Sequence, residues 1–374
     1  MSITIEPHAP KRSAAVAEFN DRMRKGGSRG GFYVDPEPTW LHRRSGARVW
    51  REYYVAVQDD EAVRGAYALK PQEWMIHGRT HLVSDWQGPF SEGAVDPRYG
   101  TLALRLLRDM VQKQPLLYSY GHGGNDQAVV QLLHRVGWLV HPVPFCLRIL
   151  RPTRFLHRNR FLRRSRGRRL LLDLLAWSGL GAVGLHGLHL ALRLRSRHRS
   201  RVVGIVEPRF GAWADDLWGR CAKHYACLAN RDQDMMNTLV PEGGWPRATR
   251  LRVERDGATI GWALVMAAQM HGDPRFGDLH VGLVVDSFGL PADAADVVNA
   301  AVQHLAGMDV DMIYANQSHP AWIEAFASTG FLILRDRRVF VAAPALQDLL
   351  APWPATKQGL HLTNLDGHGP FGFP

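Results

Sequence analysis

The feature that most constrains this chain is a weak internal repeat at an offset close to two hundred residues. Four landmarks carry it, in the same order in both copies. Ile5-Glu6-Pro7 corresponds to Val206-Glu207-Pro208, 201 residues on, and each closes a short strand-like run ahead of a helical stretch. Gly65 follows YYVAVQDD as Gly261 follows RLRVERDG, at an offset of 196. Leu117-Tyr118-Ser119-Tyr120 corresponds to Ile313-Tyr314-Ala315-Asn316, again at 196, and Gly137-Trp138 to Gly330-Phe331 at 193. A chain of 374 residues is too long for one ordinary core, and 46% hydrophobic against 22% charged residues is the balance of a folded protein. The repeat therefore divides the chain into two folded halves.

Within each half the apolar pattern runs strand, helix, two or three strands joined by turns, helix, strand, helix, strand, which makes a mixed α/β sheet unit. Gln58-Asp59-Asp60 and Arg255-Asp256-Gly257 supply turns. TLALRLLRDMVQ at 101–112 and ADAADVVNAAVQHL at 292–305 place apolar residues at three- and four-residue spacing, the mark of a helix packed on a sheet. The expected boundaries are an N-terminal unit at 1–150, a connector at 151–202, a C-terminal unit at 203–345 and a tail at 346–374.

These residues resemble the GNAT (GCN5-related N-acetyltransferase) superfamily, with its strand, turn, helix over the acyl-CoA pyrophosphate, strand, second helix and Gly-aromatic pair before the last strands. The likeness covers 3–150 and 203–345, so the expected fold class is α/β, two GNAT-type mixed α/β domains in tandem with a helical arginine-rich connector. The resemblance implies acetyl-CoA or another acyl-CoA as substrate, N-acyl transfer to a small-molecule or lipid-linked amine acceptor, and no metal. In that superfamily the turn entering the first of these helices offers backbone N–H groups and the positive end of the helix dipole to the pyrophosphate. Val95-Asp96-Pro97-Arg98-Tyr99-Gly100-Thr101 looks like a shortened form of it. Val95, Arg98, Tyr99, Gly100 and Thr101 are thus the expected cofactor-binding residues, Gly100 allowing close backbone approach. Val285-Asp286-Ser287-Phe288-Gly289-Leu290-Pro291 departs further, and Asp293 and Asp296 at its helix start suit the dipole but repel a phosphate. The cofactor is expected in the first half.

The superfamily often uses a tyrosine four residues before the Gly-aromatic pair as general acid for the departing thiolate. Leu133 and Phe326 hold those positions, and neither can donate a proton. Substitutes are Tyr118 and Tyr120, with Tyr314 and Asn316 in the second half, where the strand beside the cofactor should end; Asp85 or Glu92 offers a base. The plainer role of each is structural, since a tyrosine at a strand end commonly packs its ring and ties its hydroxyl to backbone. Acyl transfer asks little of side chains: a deprotonated amine, a polarised carbonyl, and both held close.

The net charge of +11 is local. From Arg148 to Arg201 there are fifteen arginines, no lysine and one acid, Asp173, so this segment carries +14 and the remainder −3. Neither half is built to follow a phosphate backbone. The segment's centre is a mostly apolar run long enough to span a bilayer, but arginine is equally dense on both flanks, which leaves orientation undefined. The expectations for 151–202 are a basic amphipathic helix on an anionic membrane face, or a helical buttress between the domains. Gly179-Leu180-Gly181-Ala182-Val183-Gly184 fits a dinucleotide fingerprint without a sheet to carry it.

Three cysteines without framework spacing, and a first dozen residues without an apolar run, point to the cytoplasm, peripheral at the inner face of the membrane if the connector binds there. Cys221-x-x-His224-x-x-Cys227 has metal-ligand residue types, but on a helix its cysteines would point apart. His122-Gly123-Gly124 lacks the nucleophile elbow it would need. The tail is turn-rich, either frayed or folded over a site with Asp366 and His368. The sequence reading is an acyl-CoA-dependent N-acyltransferase. A Fem-like transferase drawing on aminoacyl-tRNA is the variant that would involve nucleic acid, and a catalytically degenerate tandem domain binding a ligand or partner is the non-enzymatic alternative.

Overall fold

The structure is a computed structural model describing residues 2–28, 30–121, 124–159, 187, 202–244 and 247–367. The apolar run of the connector, the Gly179–Gly184 motif, His122, Gly123 and His368 lie outside the described residues. Two compact units emerge: 1–120 with 128–141 and 340–351, and 121–127 with 142–339 and 352–374.

The first repeat supplies β1 (Ile3–Pro7), α1 (Ser13–Lys25), β2 (Glu52–Gln58), β3 (Ala62–Ile76), β4 (Arg79–Ser91), α2 (Leu102–Lys113), β5 (Leu117–Tyr120), α3 (Ala128–Arg135) and β6 (Leu139–Ile149). Its strands run in the order β1-β2-β3-β4-β5, antiparallel except for the parallel pair β4 and β5. The β2–β3 turn takes positive φ at Asp59 (49°) and Asp60 (60°), the geometry whose twist matches that of the strands it joins. α1 buries Val16, Phe19 and Met23, at three- and four-residue spacing, against Val55, Val57, Val63 and Ala66. α2 lays Leu102 and Leu106 over Gly65. Gly65 and Ala66 are neighbours on one strand and point to opposite faces, so the two helices cover opposite sides of the sheet.

After α4 (Pro152–Arg158), the second repeat supplies β7 (Val202–Glu207), α5 (Ala212–Cys221), β8 (Cys227–Ala229), α6 (Gln233–Leu239), β9 (Thr249–Arg255), β10 (Ala258–Gln269), β11 (His280–Gly289), α7 (Ala294–Gly307), β12 (Met312–Asn316), α8 (Pro320–Ser328) and β13 (Leu332–Ala342). It ends with α9 (Pro344–Leu349), α10 (Trp353–Thr356) and β14 (Leu360–His361). The order β7-β9-β10-β11-β12, antiparallel except for β11 with β12, repeats that of the first unit. The closing strands are exchanged. β6 ends the first repeat, yet its residues 145–149 pair antiparallel with 312–316 inside the second unit. β13 ends the second repeat, and its residues 340–342 pair with 118–120 inside the first. Chain order and compact unit therefore part company after residues 141 and 339.

The segment from Ala212 to Cys227 is not one helix: α5 stops at Cys221, a single 3-10 turn covers 222–224, and Cys227 opens β8. No group of His, Cys, Asp or Glu that could hold a metal occurs among the described residues. No helix among them is long and apolar enough to cross a membrane.

Candidate active site

In the first unit β4 and β5 stay side by side for only two rows, Ser84 with Leu117 and Asp85 with Tyr118. Past that point β4 runs on along β3 to Ser91, while β5 ends at Tyr120. A bulge bends β4 just there: Ala66 opposes Phe90 and Ala68 opposes Gln87, so Gly88 and Pro89 together face the single residue Tyr67. Gly88 sits at φ 111°, a conformation glycine adopts at little cost.

Asp85 stands at this parting and belongs to a row that crosses four strands. It opposes Lys70 on β3 and Tyr118 on β5, and Arg51 opposes Lys70 because Glu52 pairs with Leu69 and Val49 with Gln72. Side chains opposite one another share a face, so one carboxylate and two cations meet on one side of the sheet. All are closed to solvent: Asp85 and Lys70 are 0% exposed and Arg51 2%. Gln87 Nε2 donates to Asp85 Oδ2 at 3.1 Å, the Tyr120 backbone N–H donates to the same carboxylate, and Arg51 Nη2 donates to Gln87 Oε1 and, at 3.0 Å, to the Tyr33 hydroxyl. Tyr33 lies flat on Tyr53, 4.5 Å between ring centroids, with the Arg51 guanidinium 5.1 Å from the Tyr33 ring. Burial pushes the Asp85 carboxyl up to about 7, while Lys70, Gln87 and Arg51 pull it the other way. At neutral pH it is poised to take or give a proton.

The second unit shows that the sheet does not require this charge. Its matching row is Met266 opposite Leu283 opposite Tyr314. A buried ionic row costs desolvation that an apolar row does not, which makes this row of the first unit a candidate site.

Of the other expected residues, Tyr118 and Tyr120 lie beside Asp85. Tyr118 is fully buried, its ring 4.8 Å from Trp74 and 5.7 Å from Phe340, and Tyr120 is 1% exposed. Glu92 does not join them. It lies seven residues further along, about 20 Å of extended chain, and accepts from Arg22 Nε at 2.9 Å and Arg64 Nη1 at 3.1 Å.

In the turn at 95–101, Val95 is half-buried and Arg98 folds back on Asp96, whose carboxylate also accepts from the Arg98 backbone N–H. Tyr99 is buried, its hydroxyl donating to Gln58 Oε1 at 2.8 Å under the Arg64 guanidinium. Gly100 has ordinary helical φ of −54°, with only the Pro97 carbonyl near its would-be Cβ, so the fold itself does not require glycine there. The glycine without room for a side chain is Gly93, where a Cβ would sit 2.3 Å from the Tyr99 carbonyl oxygen. Thr101 precedes α2 without a side-chain cap, and the first turn of α2 holds no acid, so an anion can meet its N–H groups.

The second unit is closed at the equivalent place. β11 and β12 pair from Val281–Val284 with Met312–Ala315, and the chain's own tail then enters where they part. Ser318 Oγ donates to the Leu360 carbonyl at 2.7 Å, the Leu362 N–H donates to Ser318 Oγ at 2.8 Å, and His361 Nε2 contacts the Ser287 carbonyl at 2.9 Å. Arg231 completes the closure, reaching Asp286 at 2.9 Å and Asp366 at 2.8 Å, all three about 1% exposed. Asp366 is thus a buried structural partner, not a group presented to a site. Asp293 and Asp296 at the helix start are both bound by Arg255. Tyr314 is buried against Phe145 and Phe276, which lifts its hydroxyl above the usual range, and Asn316 Nδ2 reaches the Pro144 carbonyl at 3.4 Å. Leu133 and Phe326, at the superfamily's acid positions, are core residues.

Arg51, Lys70, Gln87 and Arg231 were not singled out from sequence. The available signal was charge at the edge of apolar strands: Lys70 directly follows the apolar run AYAL at 66–69.

No protein-family model matches the chain, and no curated protein sequence matches it. Among solved structures, a conserved protein of unknown function from Enterococcus faecalis, described as a probable N-acyltransferase, superposes with a TM-score of 0.50 at 11% identity, over 94% of this chain and 75% of that one. Saccharomyces cerevisiae N-myristoyltransferase with bound myristoyl-CoA gives a TM-score of 0.52 at 9% identity, over 92% and 79%. At these identities the likeness speaks for the fold alone, and the strand order of each unit agrees with it. The chain therefore shares the fold of these two structures, and within it the strand order of the first unit recurs in the second.

Proposed function

We propose that the chain is an acyl-CoA-dependent N-acyltransferase that takes acyl-CoA in its first unit, with the thioester at the parting of β4 and β5 and the pyrophosphate at the turn 95–101. The observation that carries this reading is Asp85, a buried carboxyl raised to about 7 at the parting of the two strands. Asp85 accepts the proton of the amine as its nitrogen attacks the thioester carbonyl. The C–N bond forms, the C–S bond breaks, and CoA leaves as a thiolate that takes a proton from water, so a dedicated acid at Leu133 is not required. The bulge leaves Gly88 outside the regular ladder, where its N–H can polarise the carbonyl. Asp85 has no solvent exposure, so the incoming amine must open a path to it.

The tail closing the second unit, and Arg255 holding its turn acids, support a single acyl-CoA site. Isothermal titration with acetyl-CoA and longer acyl-CoAs, followed by release of CoA thiol with a panel of amines, tests the proposal. Saturable heat and amine-dependent thiol release are expected, and no heat at millimolar acyl-CoA would overturn it. The apolar, buried Leu133 and Phe326 favour a second reading, a degenerate tandem domain that binds but does not transfer. It is distinguished by binding without thiol release from any amine. The charge of 151–202 supports a membrane-peripheral enzyme, which sedimentation with anionic against neutral vesicles tests.

A further inference from the structure

The second unit contains a cavity of about 370 Å³ that the acyl-CoA reading does not use. Its apolar lining comes from Phe145 and Leu147 on β6, Phe155 on α4, Met312 on β12 and Leu334 on β13. Tyr314 stands in the wall, already stacked with Phe145 and Phe276 at 5.4 Å each, so the space suits a flexible chain better than another planar ring. The polar groups are few and of one sign. Arg275, Arg338 and Asn159 line the cavity, and no acid is among the described lining residues. Arg275 is held on the Tyr314 side of the space, because its guanidinium lies over Phe276 and Phe276 stacks on Tyr314. Asp273 takes part of the charge of Arg275, at 3.3 Å, and the Arg275 guanidinium lies over Phe276. An apolar cavity with a few convergent polar groups is the ordinary form of a small-molecule site. At ~30 Å³ for each water-sized group, it holds about a dozen non-hydrogen atoms.

We infer that the second unit binds an amphipathic anion, a single unbranched apolar chain of about ten carbons whose carboxylate or phosphate head meets Arg275 and Arg338. The chain lies along Phe145, Leu147, Phe155 and Leu334, and the head is taken by Arg275 and Arg338 in the same lining. This site is independent of acyl transfer in the first unit, and it is tested by binding.

The full chain is titrated with decanoate, decyl phosphate, butyrate and decylamine by calorimetry. Binding of decanoate or decyl phosphate, at least tenfold tighter than butyrate or decylamine, is expected; which of the two anions binds tighter identifies the head group. Leu334→Trp fills the cavity and should weaken binding at least tenfold. Arg275→Ala combined with Arg338→Ala removes the head-group contacts at the rim and should do the same while leaving the melting temperature within a few degrees, so the test survives if the tryptophan variant fails to fold. Equal binding of decylamine and decanoate, no binding of either anion at millimolar concentration, or binding indifferent to the rim variant would each overturn the proposal.

Discussion

Asp85→Asn separates what the carboxyl does for catalysis from what it costs the fold. In the folded chain the carboxyl is raised from 3.8 to about 7, chiefly by burial. Below pH 4 it is protonated in both the folded and the unfolded chain. As the pH rises from 4 to 7 the unfolded chain ionises first, and the folded chain either holds its proton or pays for a buried charge. Stability present at low pH is therefore lost through this window and does not return above it. At 1.36 kcal/mol per pH unit the full loss is ~4 kcal/mol, of which ~2–3 kcal/mol falls between pH 5 and pH 8.5. Asparagine keeps the shape and cannot ionise, so the variant should gain on the wild type by that amount over the same interval. Transfer activity should fall about 10²- to 10⁴-fold. Urea denaturation of both proteins at pH 5, 7 and 8.5, with thiol release measured alongside, checks both statements. Taking the difference between the two proteins cancels every other titrating group, among them His319, lowered to about 4 by burial. Parallel pH dependence in the two proteins would refute the assignment, because the carboxyl would then not be held near 7.

The wild-type kcat/KM should rise with pH through about 7 as Asp85 ionises in the free enzyme, and Asp85→Asn should flatten that rise. Arg231→Met leaves Asp286 and Asp366 buried together without their cation; a loss of ~3–5 kcal/mol in denaturant unfolding is expected, with acyl-CoA affinity unchanged because the residue lies in the other unit. Asp96→Asn releases Arg98 from its exposed pair and should tighten CoA binding about two- to fivefold at low salt, an effect that 0.5 M salt removes. Gly93→Ala drives a Cβ into the Tyr99 carbonyl, which the turn relieves only by moving; CoA affinity measured by titration should drop more than after Gly100→Ala.

The repeat carried most of the fold. Helices 102–113 and 294–307 lie where the apolar spacing put them, since amphipathic period and glycine-marked turns are local properties of the chain. The exchange of β6 and β13 was not legible, because which strand pairs with which is decided by contacts nearly two hundred residues apart. The site was legible in part. Asp85 and Tyr118 could be named from resemblance, but Arg51 and Lys70 join them only through register across three ladders, which composition does not encode. Glu92 looked equivalent to Asp85 on paper and differs because Arg22 and Arg64 hold it. The turn-rich tail left two readings open, a fraying end or a fold over a site with Asp366. Its Asp366 instead depends on Arg231, 135 residues away.

Each unit thus buries a charged cluster near the parting of its two parallel strands, and burial lifts a carboxyl in both, Asp85 to about 7 and Asp286 to about 6, but the two clusters differ in what surrounds them. In the second unit Arg231 lies between Asp286 and Asp366, Thr363 and Asp366 cap each other's backbone, and the strand gap is filled by residues of the same chain. Every strong group there has a partner that folding supplies, so the cluster fixes the position of the tail. In the first unit Asp85 keeps a carboxyl near neutrality beside Lys70 and Arg51, a state that folding alone does not favour and that the apolar row of Met266 and Leu283 would relieve. A buried group held between its two protonation states stabilises nothing at neutral pH, but it can exchange a proton with whatever enters the gap. On the function proposed above, the same parting of strands serves as a structural joint in one unit and a place for chemistry in the other, and the stability of Asp85→Asn against its activity tests that difference directly.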